Sequence, residues 1–323
     1  LFSCPSIPSV PRDINDSHRG SLTTKGAYHF APSPYDAMLV NISSPTSTPT
    51  VGVTTPLTVT FQNAGTDTLY SVNLNWSLDG VLGTAHTWGG VLPPKAMQTV
   101  TLGSFVPTFG ESELVVWTSL PAGYIDGIPA NDTLHISLFG CDSTLKGTYT
   151  VGSPFSDFVT FEDAYHTLRH CGVNGPTVFL LDSGNYDGVL FDEIIKGSST
   201  TNTITFASVT SNPNDVVFSS TTRALTLQNT AHLTFKNLTF DGRNTVTTVL
   251  FTGNCNDILI DSCVIYADSL MTTTTYRCIS QETNGMLQNI FITNNYISGG
   301  YYGIYVYGSS ALRNENIVID NNV

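Results

Sequence analysis

The sequence predicts an all-β chain: an antiparallel β-sandwich over about residues 36–140, then a right-handed parallel β-helix over residues 141–323 with an N-terminal capping helix. Three observations carry this. In the first part, short β-branched and aromatic runs alternate with turn signals at spacings of about ten residues. One amphipathic segment of helical period follows. An apolar pattern of eight residues then recurs at intervals of one solenoid coil.

Residues 1–35 hold scattered Pro, Ser and Asp without periodicity and read as an extended N-terminal arm. From Asp36 the strand candidates begin: Leu57-Thr-Val-Thr-Phe61, Val72-Asn-Leu-Asn-Trp76, Glu113-Leu-Val-Val-Trp117 and Leu134-His-Ile-Ser-Leu138. They are punctuated by Asn63-Ala-Gly65, Asp79-Gly80 and Pro121-Ala-Gly123. Such runs between Gly- and Asp-rich turns form antiparallel sandwiches. The ordered set Thr58-Val-Thr-Phe-Gln-Asn-Ala-Gly65, Trp76-Ser-Leu-Asp-Gly80, Trp88, Leu92-Pro-Pro94, Trp117 and Pro121-Ala-Gly-Tyr-Ile-Asp126 with Asn131-Asp132-Thr133 resembles the CARDB family. These are immunoglobulin-like modules of bacterial surface proteins associated with adhesion. The resemblance covers residues 36–140 and implies an immunoglobulin-like spacer or adhesion module without catalytic residues.

Thr160-Phe-Glu-Asp163 has the form of a capping box with Asp in place of Glu or Gln. Phe161, Ala164, Tyr165 and Leu168 follow the i, i+3, i+4, i+7 stripe, and Gly172 stands where a left-handed C-cap belongs, so a helix is predicted over about 160–171. An amphipathic helix placed before many strands can cover the open end of a solenoid. The stretch from Phe158 through Gly172-Val-Asn-Gly-Pro176 to Ser183-Gly-Asn-Tyr186 is similar to the opening of pectin-lyase-like β-helices, where this helix is the N-terminal lid.

Leu233-Thr-Phe-Lys-Asn-Leu-Thr-Phe240 recurs as Ile258-Leu-Ile-Asp-Ser-Cys-Val-Ile265, as Ile290-Phe-Ile-Thr-Asn-Asn-Tyr-Ile297 and, cut short, as Ile317-Val-Ile-Asp-Asn-Asn-Val323. The offsets are 25, 32 and 27 residues. Each unit reads as a strand, a polar bend and the next strand. Asn237, Ser262, Asn294 and Asn321 share the bend position. With coils stacked about 4.8 Å apart, they are expected to form a hydrogen-bonded ladder. A second strand series runs through Ala224–Leu227, Thr248–Phe251, Arg277–Ser280 and Gly303–Val306. Because the chain opens on Leu1 and stops within a repeat, a removed leader or upstream region and further coils beyond Val323 are expected.

Charged residues are 11% of the chain, against roughly 25% in an ordinary soluble protein. Ser, Thr, Asn and Gly must supply solubility, as in extracellular β-rich proteins. With 25 acidic against 12 basic residues and a net charge of −13, nucleic acid and anionic membrane surfaces are excluded as partners. No apolar run reaches the roughly 20 residues that span a bilayer, so membrane insertion is not expected. Six cysteines without CxxC spacing argue against zinc. Some could be oxidised in an exported protein, Cys4 with Cys141 for instance, while buried free thiols suit the β-helix.

The search for chemistry yields little. The Asn-Thr-Asp, Asp-Asp, Gly-His-Gly and Arg-Ile-Lys runs of polygalacturonase-like glycosidases are absent, as are the pectin-methylesterase-like signatures. Asp241, Asp257, Asp261 and Asp268 fall on different coil positions, and Arg243, Arg277 and Arg313 share no register, unlike a pectate-lyase-like site. No enzyme activity and no catalytic residue is therefore expected here. His166 and His170 have metal-compatible spacing but no evident third ligand, so they read as polar-face helix residues. Asp182-Ser-Gly-Asn-Tyr-Asp187 and Asp126…Asp132 are rich in oxygen donors but lack EF-hand spacing, and ordinary Asx turns are expected. No cofactor is called for; structural calcium is left open. Four Asp-Ser/Thr-apolar tripeptides, at Asp67, Asp132, Asp142 and Asp268, resemble bacterial O-glycosylation sites.

Tyr301-Tyr-Gly-Ile-Tyr-Val-Tyr307 is the main surface feature. Ile304 and Val306 should point into the coil, leaving Tyr305 and Tyr307 outside with Tyr301 on their side. Exposed tyrosines can stack on sugar rings; the alternative is that they pack on one another or on a following coil. The chain thus reads as a non-enzymatic bacterial surface or secreted protein, an adhesin or stalk, with a glycan or other cell-surface polymer as partner. The two modules together resemble the large surface proteins exported by the type IX secretion route, which implies outer-membrane secretion machinery as a further partner. The alternatives are a polysaccharide lyase or glycoside hydrolase with active coils beyond residue 323, and a chain that matters chiefly as cargo of a secretion machine.

Overall fold

The computed structural model describes residues 33–270, 273–282, 285–308 and 312–323, and the backbone of two short strands, Ser3–Pro5 and Leu22–Thr24. The latter pair is antiparallel, a pairing within the expected arm that its lack of periodicity did not signal. The Cys4 side chain, and with it the suggested Cys4–Cys141 link, lies outside the described residues. The chain divides into two compact units, Leu1–Asp142 and Ser143–Val323.

The first unit is an antiparallel sandwich. Ala37–Ser44, Thr55–Asn63 and Met97–Phe105 form one sheet. Thr133–Gly140, Gly110–Ser119 and Leu69–Leu78 form the other, with Val81–Leu82 and His86–Leu92 also pairing to Leu69–Leu78. Alternation decides the faces: Leu57, Val59 and Phe61 of one sheet and Val72, Leu74, Leu114 and Val116 of the other are wholly buried. On the outer face, Thr58 opposes Thr101 and Thr60 opposes Thr99, and each hydroxyl pair is hydrogen-bonded, at 3.0 and 2.8 Å. Threonine pairs thereby take the place that ion pairs hold on more highly charged sheets. The Asn63-Ala-Gly65 turn is fixed by the buried Asn63, whose Nδ2 donates to Leu92 and Asp67 carbonyls while Oδ1 accepts from Gly65 N. Cys141 is disulfide-bonded.

The second unit is a parallel β-helix of three sheets. Leu145–Val151, Val173–Leu181, Ile204–Ser208, Ala231–Lys236, Cys255–Asp261, Leu287–Thr293 and Glu315–Asp320 stack in the first sheet. Gly184–Asp187, Val216–Ser219, Thr239–Gly242, Val264–Ala267 and Tyr296–Ser298 make the second; Val189–Phe191, Leu225–Gln228, Thr247–Thr252, Arg277–Gln281 and Tyr302–Tyr305 make the third. Equivalent residues sit directly above one another: Leu233, Ile258, Ile290 and Ile317 in one column, Leu225, Val249, Ile279 and Ile304 in another. Tyr149, Phe179, Phe206 and Phe235 stack at centroid spacings of 5.8, 5.1 and 5.8 Å, and the column continues as Ile260 and Ile292. Cys255, Cys263 and Cys278 are free and buried, whereas Cys171 is disulfide-bonded.

The helix spans Phe161–Cys171, with the predicted capping box in place: Thr160 Oγ1 accepts from Asp163 N, and Asp163 Oδ2 accepts from Thr160 N. Ala164 and Leu168 are fully buried against the early coils, and Phe161 meets Phe218 edge-on at 5.2 Å. Gly172 departs from the left-handed C-cap expected of it. Its φ of 69° is paired with a ψ of −166°, and an added Cβ would lie 2.4 Å from the Lys196 carbonyl oxygen, so glycine is required for two reasons. Replacing Thr160 by Ala removes the hydroxyl that accepts from Asp163 N and donates to Asp163 Oδ2, while the backbone Thr160 N–H bond can persist, and should destabilise the helix by about 0.5–2 kcal/mol, read as faster amide exchange confined to the helix.

Candidate functional site

The tyrosine segment forms where the third sheet meets solvent. Ile304 packs inward on Ile279, which turns Tyr305 outward above Ser280. Tyr301 and Tyr307 are 51% and 41% exposed. Tyr305 is different: the Arg277 guanidinium lies 3.8 Å from its ring centroid and 5.9 Å from that of Tyr302. Arg277 is held there by bonds from Nε to the Thr274 carbonyl and from its terminal nitrogen to Ser280 Oγ. Tyr302, absent from the expected set, bridges Tyr301 and Tyr305 at centroid distances of 4.8 and 5.2 Å. The three residues singled out from sequence therefore do not make a uniform row. Tyr301 and Tyr307 offer open faces, while one face of Tyr305 is covered by a cation.

Next to this cluster runs a polar groove of about 520 Å³, lined by Thr221, Arg223, Arg243, Asn244, Asp268 and Tyr276. Tyr276 connects the two, since its carbonyl accepts from Tyr301 N at 2.8 Å. Arg243 binds Asp241 through two nitrogens and lies 5.2 Å from the Tyr266 ring, and that guanidinium holds the Asp241 carboxyl below its ordinary range.

At the bend, Asn237, Ser262, Asn294 and Asn321 all take left-handed backbone, with φ between 52° and 57°, a conformation that asparagine tolerates well. Asn321 Nδ2 donates to Asn294 Oδ1 at 2.6 Å. The contact then passes from Asn294 Nδ2 to Asp261 Oδ1 at 2.7 Å rather than to Ser262, whose hydroxyl donates to the other oxygen of the same carboxylate. Two further polar columns were not anticipated. Asn316 bonds to Asn289 and Asn289 to Asn256; one position past the bend, inward-facing Asn295 bonds to Asn322.

Of the other candidates, His166 pairs with Glu162 at 2.7 Å across one helical turn, and Asp182 accepts from Ser156 Oγ. Asp126 Oδ1 accepts from Ile128 N, an Asx turn as expected. Its Oδ2 has a second role, accepting from Ala37 N at 2.9 Å at the start of the first sandwich strand. This brings Asp126 to Asp36 and Asp132, and one oxygen of each carboxylate lies within 4.8 Å of the others. Asp36 is 1% and Asp132 8% exposed. Burial, then the neighbouring Asp126 and Asp36 carboxylates, push Asp132 up to about 7, and burial also raises Asp36.

No family model matches the chain, and no curated protein matches it. Among solved structures, it is similar to the CARDB domain of the PF1109 protein of Pyrococcus furiosus in complex with di-metal ions (16% identity, 34% of this chain, 97% of that one, TM-score 0.30). A solution structure of the same domain gives 17% identity over 34% and 99% of the two chains, TM-score 0.30. A putative cell surface protein domain from Methanosarcina acetivorans gives 20% identity over 33% and 93%, TM-score 0.29.

Proposed function

We propose that the chain is a non-enzymatic bacterial surface or secreted protein in which an immunoglobulin-like module serves as spacer and the β-helix binds a glycan or similar surface polymer. The observation that carries the reading is the exposed Tyr301 adjoining the polar groove at Tyr276, with a second exposed ring, Tyr307, on the same segment. Aromatic faces beside Arg, Asn, Thr and Asp side chains suit polyhydroxylated rings, which need an apolar platform and hydrogen bonds at their edges. The strict stacking of coils keeps that face rigid, so repeated weak contacts add by avidity without an ordering cost. A chain with 11% charged residues and hydrogen-bonded Thr pairs on its outer sheet face fits an extracellular setting. Delivery by the type IX route belongs to the same proposal.

A glycan array with the purified chain tests it. Binding is expected, and Tyr301→Ala with Tyr307→Ala should weaken it at least tenfold, since each substitution removes a large rigid apolar platform together with its hydroxyl. Arg277→Ala should alter it by freeing the covered face of Tyr305. Absence of any glycan binding overturns the reading. Cleavage products from acidic polysaccharides, with or without calcium, would replace it with the polysaccharide-degrading alternative.

A further inference from the structure

We propose that Asp36, Asp126 and Asp132 of the sandwich hold a divalent cation, Ca²⁺ in an extracellular setting. Three carboxylates come together from separate stretches: Asp36 leads into Ala37–Ser44, Asp126 lies in the loop after Pro121–Gly123, and Asp132 follows the short turn Pro129–Asn131. Their hydrogen-bonding partners are all neutral. Asp36 Oδ1 accepts only from the Asn131 amide, at 3.2 Å, and Asp126 accepts from the Ala37 and Ile128 N–H groups. Asp132 Oδ1 is buried without any partner, and so is Asn131 Oδ1.

An unpaired carboxylate oxygen at 8% exposure is costly, and two like charges beside it make it more so. A proton or a cation would relieve the repulsion. A cation would in addition engage the orphaned oxygens together with the other two carboxylates. Half a turn of the Asn131 amide, now directed at Asp36 through its nitrogen, would present Oδ1 on that side as a fourth donor. All these donors are hard oxygens, which selects Ca²⁺ or Mg²⁺ over transition metals. Mg²⁺ demands a near-ideal octahedron and keeps most of its waters, whereas Ca²⁺ accepts several protein carboxylates in flexible geometry, so a cluster of three carboxylates suits the larger ion. Bound there, it would fasten the loop over residues 121–132 to the first strand of the sandwich. Extracellular modules bind Ca²⁺ with dissociation constants of about 0.1–1 mM, and a value in that range is expected.

Tyr35 and Tyr124 stack at 4.3 Å, Tyr35 being adjacent in sequence to Asp36, so they can report on the site. Chelator-treated full-length chain titrated with Tb³⁺ should show tyrosine-sensitised emission that Ca²⁺ displaces, with Mg²⁺ displacing it at least tenfold more weakly. Asp126→Asn and Asp132→Asn should each weaken Ca²⁺ binding at least tenfold by calorimetry; Asp182→Asn, in the other oxygen-rich loop, should leave it unchanged. The melting temperature separates loss of the site from misfolding. In chelator, Asp132→Asn should melt higher than the parent chain because a like charge is gone, yet gain nothing from added Ca²⁺. Failure of Ca²⁺ and Tb³⁺ to bind at concentrations up to about 10 mM overturns the proposal. So does Ca²⁺ binding that survives both substitutions, and tighter binding of Mg²⁺ overturns the assignment to calcium.

Discussion

Replacing Phe206 by alanine should destabilise the β-helix by about 3–5 kcal/mol, measured as a shift of the solenoid's urea or guanidinium transition. Phe206 is 1% exposed and lies between Phe179 and Phe235, with ring planes tilted by only 12° and 14°. It also touches Phe161 of the capping helix at 5.7 Å and Phe191 of the third sheet at 5.4 Å. One truncation would therefore open a cavity shared by the coil below, the coil above and the lid. In a solenoid, where stability is close to a sum over neighbouring coils, that severs two interfaces at once. Phe206→Leu should cost less, about 1.5 kcal/mol, because the same column is filled by branched aliphatics at Ile260 and Ile292. A Phe206→Ala cost no greater than that of the Leu variant would show that the stack contributes packing of no special kind.

That column also shows what made the fold readable. From Leu233 onward each coil repeats apolar, polar, apolar and then a polar bend, so the strands Ala231–Lys236, Cys255–Asp261 and Leu287–Thr293 fall where the repeats place them. The earlier coils obey the same stacking without the same text. After Ile204–Ser208 the chain leaves the bend for a loop and the short turn Pro213–Asp215 before Val216–Ser219 begins, and the repeat is broken in sequence while the register continues in space. In the sandwich, Met97–Phe105 escaped notice because the strand buries little besides Leu102, so alternation of hydrophobicity is weak. The second left-handed column, His232, Asp257, Asn289 and Asn316, was hidden because three residue types meet one backbone requirement.

Sites were less legible than strands, for a physical reason. Asp126 and Asp132 are visible as an oxygen-rich stretch, but the partner that turns them into a cluster is Asp36, some ninety positions earlier and joined through the bond from Ala37 N to the Asp126 carboxylate. Arg277 likewise looked isolated when compared with other arginines. Its meaning comes from the parallel pairing of Arg277 with Tyr302, which carries its guanidinium onto Tyr305 in the next coil.

Asn295→Ala should destabilise the β-helix by about 2–5 kcal/mol, although it removes no apolar surface of consequence. The residue is 1% exposed, and its side chain performs two tasks for the preceding coil: Oδ1 accepts from Cys263 N at 2.8 Å, and Nδ2 donates to the Ile260 carbonyl at 2.9 Å. Asn322 repeats both one coil on, accepting from Asn295 N and donating to the Ile292 carbonyl. The column is a ladder in which each asparagine closes the backbone of the bend beneath it. In alanine's place, an N–H and a C=O remain buried and unpaired, each costing about 1–3 kcal/mol. Cys263, at the same position, meets half of the requirement by directing its thiol at the Phe235 carbonyl, and Leu238 meets neither. Asn295→Cys should consequently recover part of the loss, while Asn295→Leu, with volume but no donor or acceptor, should not. The adjacent Asn294→Ala is the control, since it loses two exposed bonds and a preference for left-handed backbone and should cost about 1 kcal/mol. Equal costs at 294 and 295 would mean that water reaches the inner position and that the buried ladder does not hold the bend.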